Sequence, residues 1–196
     1  MVILLEDIED FIGFKLEGSL RWGEKIPCKK QGIYIVLTPN KKATNLIFNR
    51  GAINLWIKKV ANMEVGTEKP TFENLSTELK RFWFNNEIIL YVGQTSQPIR
   101  TRVNQYYKTE IGERKPHSGG YWIKTLAFLN DCLVFWKACD HPKEIETKIL
   151  TFFHHQFSDK NISKENLIIP FANLEIHLQN KNQKIRKNHI LKKARI

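Results

Sequence analysis

Two tyrosines and an arginine stand at or just after apolar runs of the chain. Tyr34 lies in GIYIVLT (32–38) and Tyr91 lies in EIILYVG (87–93), and each is two positions from a glycine. Arg102 follows in the segment QTSQPIRTRVNQYYK. A guanidinium stays charged and matches phosphate oxygens, whereas a phenol is a poor base unless positive charge lowers its pKa from about 10. Brought together by a fold, these side chains would suit proton transfer beside a phosphate.

Helical spacing adds a third tyrosine to this set. Tyr106 follows Arg102 by four positions, and residues so spaced share one face of a helix. Thr95 or Ser96 can cap this helix, and Pro98 falls in its first turn, where the missing N–H costs nothing. Arg102 and Tyr106 are therefore expected to point into the same site.

A later helix carries two carboxylates that could take part in chemistry. The helix PKEIETKILTFFHHQF begins at Pro142 and offers Glu144 and Glu146. Glu146 has apolar residues at the positions that share its face, namely Ile149, Leu150 and Phe153. Glu144 has polar residues there and is expected to lie in water. Because a carboxylate on an apolar face is costly unless a metal or donors compensate it, Glu146 is the better candidate.

Taken in order, GIY at 32–34, YVG at 91–93 and the arginine that follows resemble the signature of the GIY-YIG nuclease superfamily, and most of all its type II restriction endonucleases. The resemblance implies a catalytic set whose last member follows a proline in PFAN, namely Tyr34, Tyr91, Arg102, Tyr106, Glu146 and Asn173. Tyr34 would accept the proton of the attacking water, and Arg102 would stabilise the pentavalent phosphate. Tyr91 and Tyr106 would hold the water and the scissile phosphate. Glu146 would bind one Mg²⁺ or Mn²⁺ ion.

Two departures from the superfamily pattern bear on function. The separation of Tyr34 and Tyr91 is longer than is usual in the superfamily, which implies an insertion that could serve recognition. Gln94 follows the second glycine, where repair-type members often carry lysine. The long separation also leaves open whether Tyr34 pairs with Tyr91. The small size of the chain and its insertions on a minimal nuclease core favour a restriction-type enzyme.

The elements that must position these residues indicate an α/β (α+β) fold. We expect a small three-stranded, mostly antiparallel sheet flanked by helices, with strands at 32–38, 87–93 and 131–139. A helical insertion, 40–86, separates the first two core strands. Its two helices are predicted from apolar residues at helical spacing: Ile53, Trp56, Ile57 and Val60, then Leu75, Leu79 and Phe82.

The whole chain, 1–196, is expected to be a single nuclease domain. Residues 1–31 form an N-terminal extension, read as a short helix or strand followed by a loop. Residues 180–196 form a basic C-terminal tail, which either contacts DNA or is a solvated end. Nothing in the sequence resembles a signal peptide or a membrane span, so a cytoplasmic protein without a membrane partner is expected. The three cysteines contain no CxxC pair and no disulfide framework.

The charge balance favours a polyanionic partner. The chain has 31 Lys and Arg against 20 Asp and Glu, a net charge of +11. An excess of this size is typical of proteins that bind nucleic acid. Contacts to double-stranded DNA are predicted from basic residues in and after the arginine-bearing helix, namely Arg100, Lys108, Arg114, Lys115, His117 and Lys124.

The sequence therefore predicts a metal-dependent DNA endonuclease of restriction type. A structure-specific, repair or toxin nuclease of the same superfamily is the first alternative. A non-catalytic DNA-binding protein on a nuclease core is the second, and an RNA-binding module without nuclease ancestry is a third. A homodimer and a cognate DNA methyltransferase that acts on the same site are both left open.

Overall fold

The computed structural model describes residues 2–42, 44–113, 116, 119–178 and 183–192. In chain order the helices are α1 (Leu5–Ile12), α2 (Arg50–Lys59), α3 (Phe72–Lys80), α4 (Ile99–Lys108) and α5 (Pro142–Phe157). The strands are β1 (Glu17–Arg21), β2 (Gly32–Leu37), β3 (Glu64–Val65), β4 (Ile89–Thr95), β5 (Leu133–Ala138), β6 (Glu175–Leu178), β7 (Gln183–Arg186) and β8 (Leu191–Lys192). Short 3₁₀ helices cover Pro39–Lys41, Tyr121–Thr125 and Leu129–Asp131. Within these residues, every helix is too short or too polar to cross a bilayer.

The main sheet is antiparallel and has the strand order β1-β5-β2-β4. The mixed α+β class is therefore confirmed, but the predicted count of three strands is wrong because β1 adds a fourth. The sequence EGSLR of β1 is almost wholly exposed and carries no apolar alternation, so nothing local marked it as a strand. The strand β1 forms because it pairs with β5. The ring of Trp136 on β5 occupies the space where a Cβ on Gly18 would lie.

Two apolar cores cover the two faces of this sheet. The side chains of β2 alternate between the faces, as extended backbone requires. Tyr34 and Val36 face the core formed with α2, α3 and α4, whereas Ile33, Ile35 and Leu37 face the core formed with α1 and α5. The candidate site therefore begins on the face that the insertion helices cover.

The insertion contributes two helices, in the places predicted from their apolar spacing. Asn49 caps α2 by accepting from the N–H of Ala52, and Thr71 caps α3 by accepting from the N–H of Asn74. Trp56 of α2 and Leu79 of α3 are fully buried. The insertion therefore belongs to the first core.

Helix α4 begins two or three residues later than its predicted caps, Ser96 or Thr95, indicated. Pro98 is the N-cap residue, without a side-chain cap, and it does not lie in the first turn. Thr95 is the last residue of β4, and its hydroxyl accepts from the N–H of Gln97 in the turn before the helix. The strand takes the predicted cap because its pairing with β2 extends to Thr95.

The C-terminal segment packs against the domain at two places. β7 pairs with β6 in an antiparallel hairpin, and β8 pairs with β3 of the insertion. The carboxylate of Glu78 on α3 accepts from the N–H of Ile190, just before β8. The described part of the range predicted as a basic tail, residues 183–192, therefore has two short strands and contacts with the insertion.

Candidate active site

Three tyrosines from three elements form a buried cluster, here called the tyrosine cluster: Tyr34 of β2, Tyr91 of β4 and Tyr106 of α4. Their ring centroids are 5.9 Å apart for Tyr34 and Tyr91, 6.3 Å for Tyr34 and Tyr106, and 5.2 Å for Tyr91 and Tyr106. Tyr34 is 1% exposed, Tyr91 is 7% exposed and Tyr106 is 1% exposed. The tyrosines predicted as one site are therefore brought together, in a strongly desolvated place.

Gly93 makes room for the contact between the first two tyrosines. Strand register places Gly93 opposite Tyr34. A Cβ at Gly93 would lie 2.5 Å from Cζ and 2.7 Å from Oη of Tyr34, and 2.7 Å from Cε1 of Tyr91. Real Cβ atoms do not approach other atoms so closely, so only glycine lets the phenol of Tyr34 cross this strand.

Gly120 closes the cluster from the other side, and the sequence analysis did not single it out. Its carbonyl accepts the hydroxyl of Tyr106 at 2.5 Å. Its φ of +65° is in the left-handed region, and a Cβ there would meet Cε2 of Tyr91 at 2.6 Å and the hydroxyl of Tyr106. In the sequence, the signal for this close approach of the backbone to the tyrosines is the pair of glycines at 119–120.

Arg102 reaches the cluster from α4, one turn before Tyr106. Its Nη1 donates to the carbonyl of Pro116 at 3.1 Å. The guanidinium also hydrogen-bonds the hydroxyl of Tyr34, and both its charge and this bond act to lower the pKa of that phenol. Burial has the larger effect and raises the pKa of Tyr34 well above its ordinary value.

The hydroxyl of Tyr34 has Tyr91 as a second partner. This hydrogen bond acts to lower the pKa of Tyr34 and to raise that of Tyr91, as expected if Tyr91 donates to the oxygen of Tyr34. Burial is the largest cause of the raised pKa of Tyr91 and also of Tyr106. All three phenols are therefore protonated near neutral pH, with Tyr34 in the acceptor position.

Glu146 lies beside the cluster on α5, half-buried as its helical phase predicted, whereas Glu144 is exposed. Burial and, second, the charge of Glu175 raise the pKa of Glu146 to about 8, against the opposing charges of Lys143 and Arg102. In turn, the charge of Glu146 raises the pKa of Tyr34 and Tyr91. The carboxylate thus lies within electrostatic reach of two phenols and a guanidinium.

Asn173 does not join the phenols but holds the strand that carries one of them. Its Oδ1 accepts from the N–H of Val92 at 2.9 Å, and its Nδ2 donates to the carbonyl of Val92 at 2.8 Å. The N–H of Ala172 adds a bond of 2.8 Å to the carbonyl of Leu90. Asn173 was predicted as a catalytic residue; its contacts are those of a residue that positions β4 between Tyr91 and Gly93.

A buried acid and a buried base hold the segment that ends at Asn173. Nζ of Lys187 donates to the carbonyls of Pro170 and Phe171, both at 2.9 Å, and Glu87 accepts from the N–H of Phe171 at 2.6 Å. Burial raises the pKa of Glu87 to about 8 and lowers that of Lys187 to about 7. These residues are 100 positions apart in the chain, and no sequence pattern connects them.

The basic residues predicted to contact DNA lie in different surroundings. Lys124 donates to the carbonyls of Tyr106, Tyr107 and Thr109 and so caps the end of α4, and burial lowers its pKa to about 8. This inward role leaves Lys124 ill placed for a phosphate. Lys108 is exposed, and Arg100 is half-buried at the rim of a cavity of about 350 Å³. The remaining predictions, Arg114, Lys115 and His117, lie outside the described residues.

Glu146 is the carboxylate that could anchor a single magnesium or manganese ion. Within the residues that the structure describes, no three His, Cys, Asp or Glu side chains gather into a larger metal cluster. Mg²⁺ commonly takes one or two carboxylates and keeps several waters, so one half-buried carboxylate is a sufficient anchor. A cation there would also offset the cost of ionising Glu146 in this partly buried position.

Comparisons of the chain with protein-family models, with curated proteins and with solved structures found no match. The resemblance to the GIY-YIG superfamily therefore rests on the motif residues and on their arrangement in this chain. That arrangement joins five side chains from four separate elements, namely Tyr34, Tyr91, Arg102, Tyr106 and Glu146.

Proposed function

We propose that this chain is a metal-dependent DNA endonuclease of the GIY-YIG type that hydrolyses phosphodiester bonds. One observation carries the proposal. The hydroxyl of Tyr34 has Tyr91 and Arg102 as hydrogen-bond partners and feels the charge of Glu146, although the four residues come from β2, β4, α4 and α5. Such convergence of a potential base, a phosphate-binding cation and a metal ligand suits hydrolysis of a phosphodiester.

Tyr34 is proposed to accept the proton of the attacking water as a phenolate, after its own proton has passed to solvent. Burial opposes its ionisation, so it needs positive charge close by. Arg102 supplies one such charge. A divalent ion bound to Glu146 would supply more, and would offset the charge that develops on the leaving 3′ oxygen. Tyr91, which donates to Tyr34, would hold the phenol oxygen in place.

Arg102 is proposed to stabilise the charge on the phosphate. A guanidinium has five N–H donors in a rigid fork, and the contacts with Pro116 and Tyr34 use part of that fork. These contacts orient the group before substrate binds. Such preorganised donors are worth about 2.7–4 kcal/mol of transition-state stabilisation in other hydrolases. Tyr106 would act indirectly, by holding Gly120 against the cluster.

Double-stranded DNA is the proposed substrate, since the net charge is +11 and the insertion adds surface to the catalytic core. The proposal extends to a restriction-type enzyme in the cytoplasm that cuts at a specific sequence. Cleavage of a palindromic site would require a homodimer, because the two-fold symmetry of the DNA site matches a protein dimer with two-fold symmetry. A cognate DNA methyltransferase would then protect the same site.

The depth of the tyrosine cluster favours one competing function. Tyr34 and Tyr106 are each only 1% exposed, so a phosphate must displace neighbouring groups to reach Tyr34. A non-catalytic DNA-binding protein would keep such a cluster closed. Cleavage and its metal dependence distinguish the two functions.

The experiment is cleavage of a supercoiled plasmid by the purified chain at low salt with Mg²⁺, with Mn²⁺ and with EDTA. Glu146→Gln removes the metal ligand, and Glu144→Gln is its matched control from the exposed side of the same helix. We expect cleavage by the wild type and by Glu144→Gln, and a loss of about 10²-fold or more in Glu146→Gln. Discrete fragments would indicate site specificity. Binding without cutting, with every metal ion, would support the non-catalytic function instead.

A further inference from the structure

The β6–β7 hairpin has one apolar face and one charged face. Its register pairs Glu175 with Arg186, Ile176 with Ile185, and His177 with Lys184. Because side chains alternate across a strand, the two isoleucines share one face and the other four residues share the opposite one. Both isoleucines are buried in the core beside α5, which fixes the charged face toward the outside.

The charged face carries three basic side chains around a single carboxylate. Glu175 lies 2.5 Å from Nζ of Lys184, 2.9 Å from Nε of Arg186 and 3.4 Å from Nε2 of His177. The Lys184 and Arg186 side chains are 46% and 66% exposed. We call Lys184 and Arg186 the hairpin cations.

The hairpin cations lie beside the candidate active site. The hydroxyl of Thr147, the residue after Glu146, lies 3.0 Å from the carbonyl of His177 and 3.0 Å from that of Lys143 on its own helix, so the hairpin contacts α5 beside Glu146. Glu175 and its three basic neighbours lie on the hairpin that this contact joins to α5.

Stability gives little reason for this concentration of charge. Exposed ion pairs contribute about 0–1 kcal/mol each, and the apolar face already fixes the hairpin. Lys184 and Arg186 share one carboxylate, Glu175, so the charged face of the hairpin has a surplus of positive charge. A surplus of exposed positive charge beside a phosphodiester site matches the regular phosphate charges of a DNA backbone.

We propose that the hairpin cations bind backbone phosphates of duplex DNA beside the scissile phosphate. The inference rests on the proposed function for its choice of DNA as the partner. Glu175 holds Lys184 and Arg186 in place before DNA arrives, and the phosphates then share or replace this carboxylate as their partner. The contacts are to phosphates, so they add affinity without reading sequence.

The test is the salt dependence of binding to a labelled DNA duplex in EDTA, where binding is measured without cleavage. The variant Lys184→Gln/Arg186→Gln removes two charges, and Lys184→Arg/Arg186→Lys keeps both. Lys42→Gln/Lys69→Gln removes two exposed charges elsewhere and is the matched control. Circular dichroism melting shows that each variant is folded.

We expect the slope of log K against log salt to become shallower by about 2 in Lys184→Gln/Arg186→Gln. Between about 50 and 200 mM KCl, the wild type should then lose about tenfold more affinity than this variant. The charge-conserving variant and the control should keep the slope of the wild type.

An unchanged slope in Lys184→Gln/Arg186→Gln would overturn the inference, as would an equal change in the control pair. Failure of the wild type to bind duplex DNA would overturn it as well. The plasmid assay is read separately. Cleavage with an unchanged slope would contradict the hairpin contact alone. A shallower slope without cleavage would support the contact and contradict the nuclease function.

Discussion

At the scale of single residues, Gly93 is the position where one added methyl group should lower catalytic activity strongly while the protein still folds. Its Cβ would stand 2.5–2.7 Å from atoms of Tyr34 and Tyr91, so Gly93→Ala must move both phenols. We expect a fall in kcat of about 100-fold, because misplacement by about 1 Å can cost that much. Overpacking should lower the free energy of unfolding by about 1–3 kcal/mol.

The control for this prediction is Gly51→Ala on α2. A Cβ at Gly51 would have only the side chain of Asn49 close to it, at 3.3 Å. Plasmid cleavage and chemical denaturation are measured for both variants. Wild-type activity in Gly93→Ala would show that the spacing of the phenols does not matter for the reaction.

Glu175 should set the pH at which Glu146 becomes available for a metal ion. Burial and Glu175 raise the pKa of Glu146 to about 8, so below that pH a proton competes with Mg²⁺. In the wild type, the Mg²⁺ concentration for half-maximal cleavage should rise about tenfold per pH unit as pH falls below about 8. Above about 8 it should be constant.

Glu175→Gln removes a negative charge that raises this pKa, so the whole profile should move to lower pH. Glu64→Gln, at an exposed position of β3, is the control and should leave the profile in place. The profile is measured from about pH 6 to 9 at constant ionic strength. If both variants keep the wild-type profile, Glu175 has no influence on the metal ligand.

At the scale of elements, the PFAN segment (170–173) hydrogen-bonds the outer side of β4, as an additional strand would. β4 is an edge strand of the main sheet, and Asn173 satisfies both backbone groups of Val92 on its outer side. Loss of these two buried hydrogen bonds in Asn173→Ala should cost about 2–4 kcal/mol of unfolding free energy. Cleavage should fall with it, because β4 carries Tyr91 and Gly93.

Asn166→Ala is the matched control, since Asn166 also makes two hydrogen bonds, one to Ser163 and one to Asn161. It should lose some stability and keep the wild-type kcat. Chemical denaturation and cleavage rates separate the two roles of Asn173. A direct catalytic role would lower kcat in Asn173→Ala while the unfolding free energy stays unchanged.

At the scale of the whole molecule, Glu87 and Lys187 connect the start of β4 to the C-terminal segment. Both are buried, and each offsets part of the cost of burying the other's charge. Above about pH 8, where Glu87 is ionised, Lys187→Met should lower the unfolding free energy by about 3–5 kcal/mol, because it leaves a buried carboxylate without its cation. Glu87→Gln/Lys187→Met should recover about 1–3 kcal/mol of that loss.

The pH dependence of Lys187→Met has a definite sign. The pKa of Glu87 is raised in the folded protein, so its proton is held more tightly when folded than when unfolded. Protonation therefore favours the fold, and the stability of Lys187→Met should fall as pH rises from about 5 to 8. Denaturation at the two pH values checks this. A strictly additive cycle, with no pH dependence in Lys187→Met, would contradict the coupling.

The sequence by itself determined the features that depend on neighbours along the chain. Helical phase placed Glu146 on the buried side of α5 and Glu144 in water, and the i, i+4 spacing directed Arg102 and Tyr106 toward the same phenol, Tyr34. Three strands of the main sheet and the insertion helices also followed from apolar spacing. These features are local because backbone geometry sets the period at which side chains share a face.

Tertiary structure alone decided the contacts between residues that are distant in the chain. β1 has no strand pattern and exists through pairing with β5. Gly120 closes on Tyr106, Lys124 caps the end of α4, and Lys187 holds the segment before Asn173. A side chain's type does not reveal which backbone groups remain unsatisfied near it after folding. For that reason the sequence predicted Lys124 as a DNA contact and Asn173 as a catalytic residue, whereas packing turned both toward the backbone.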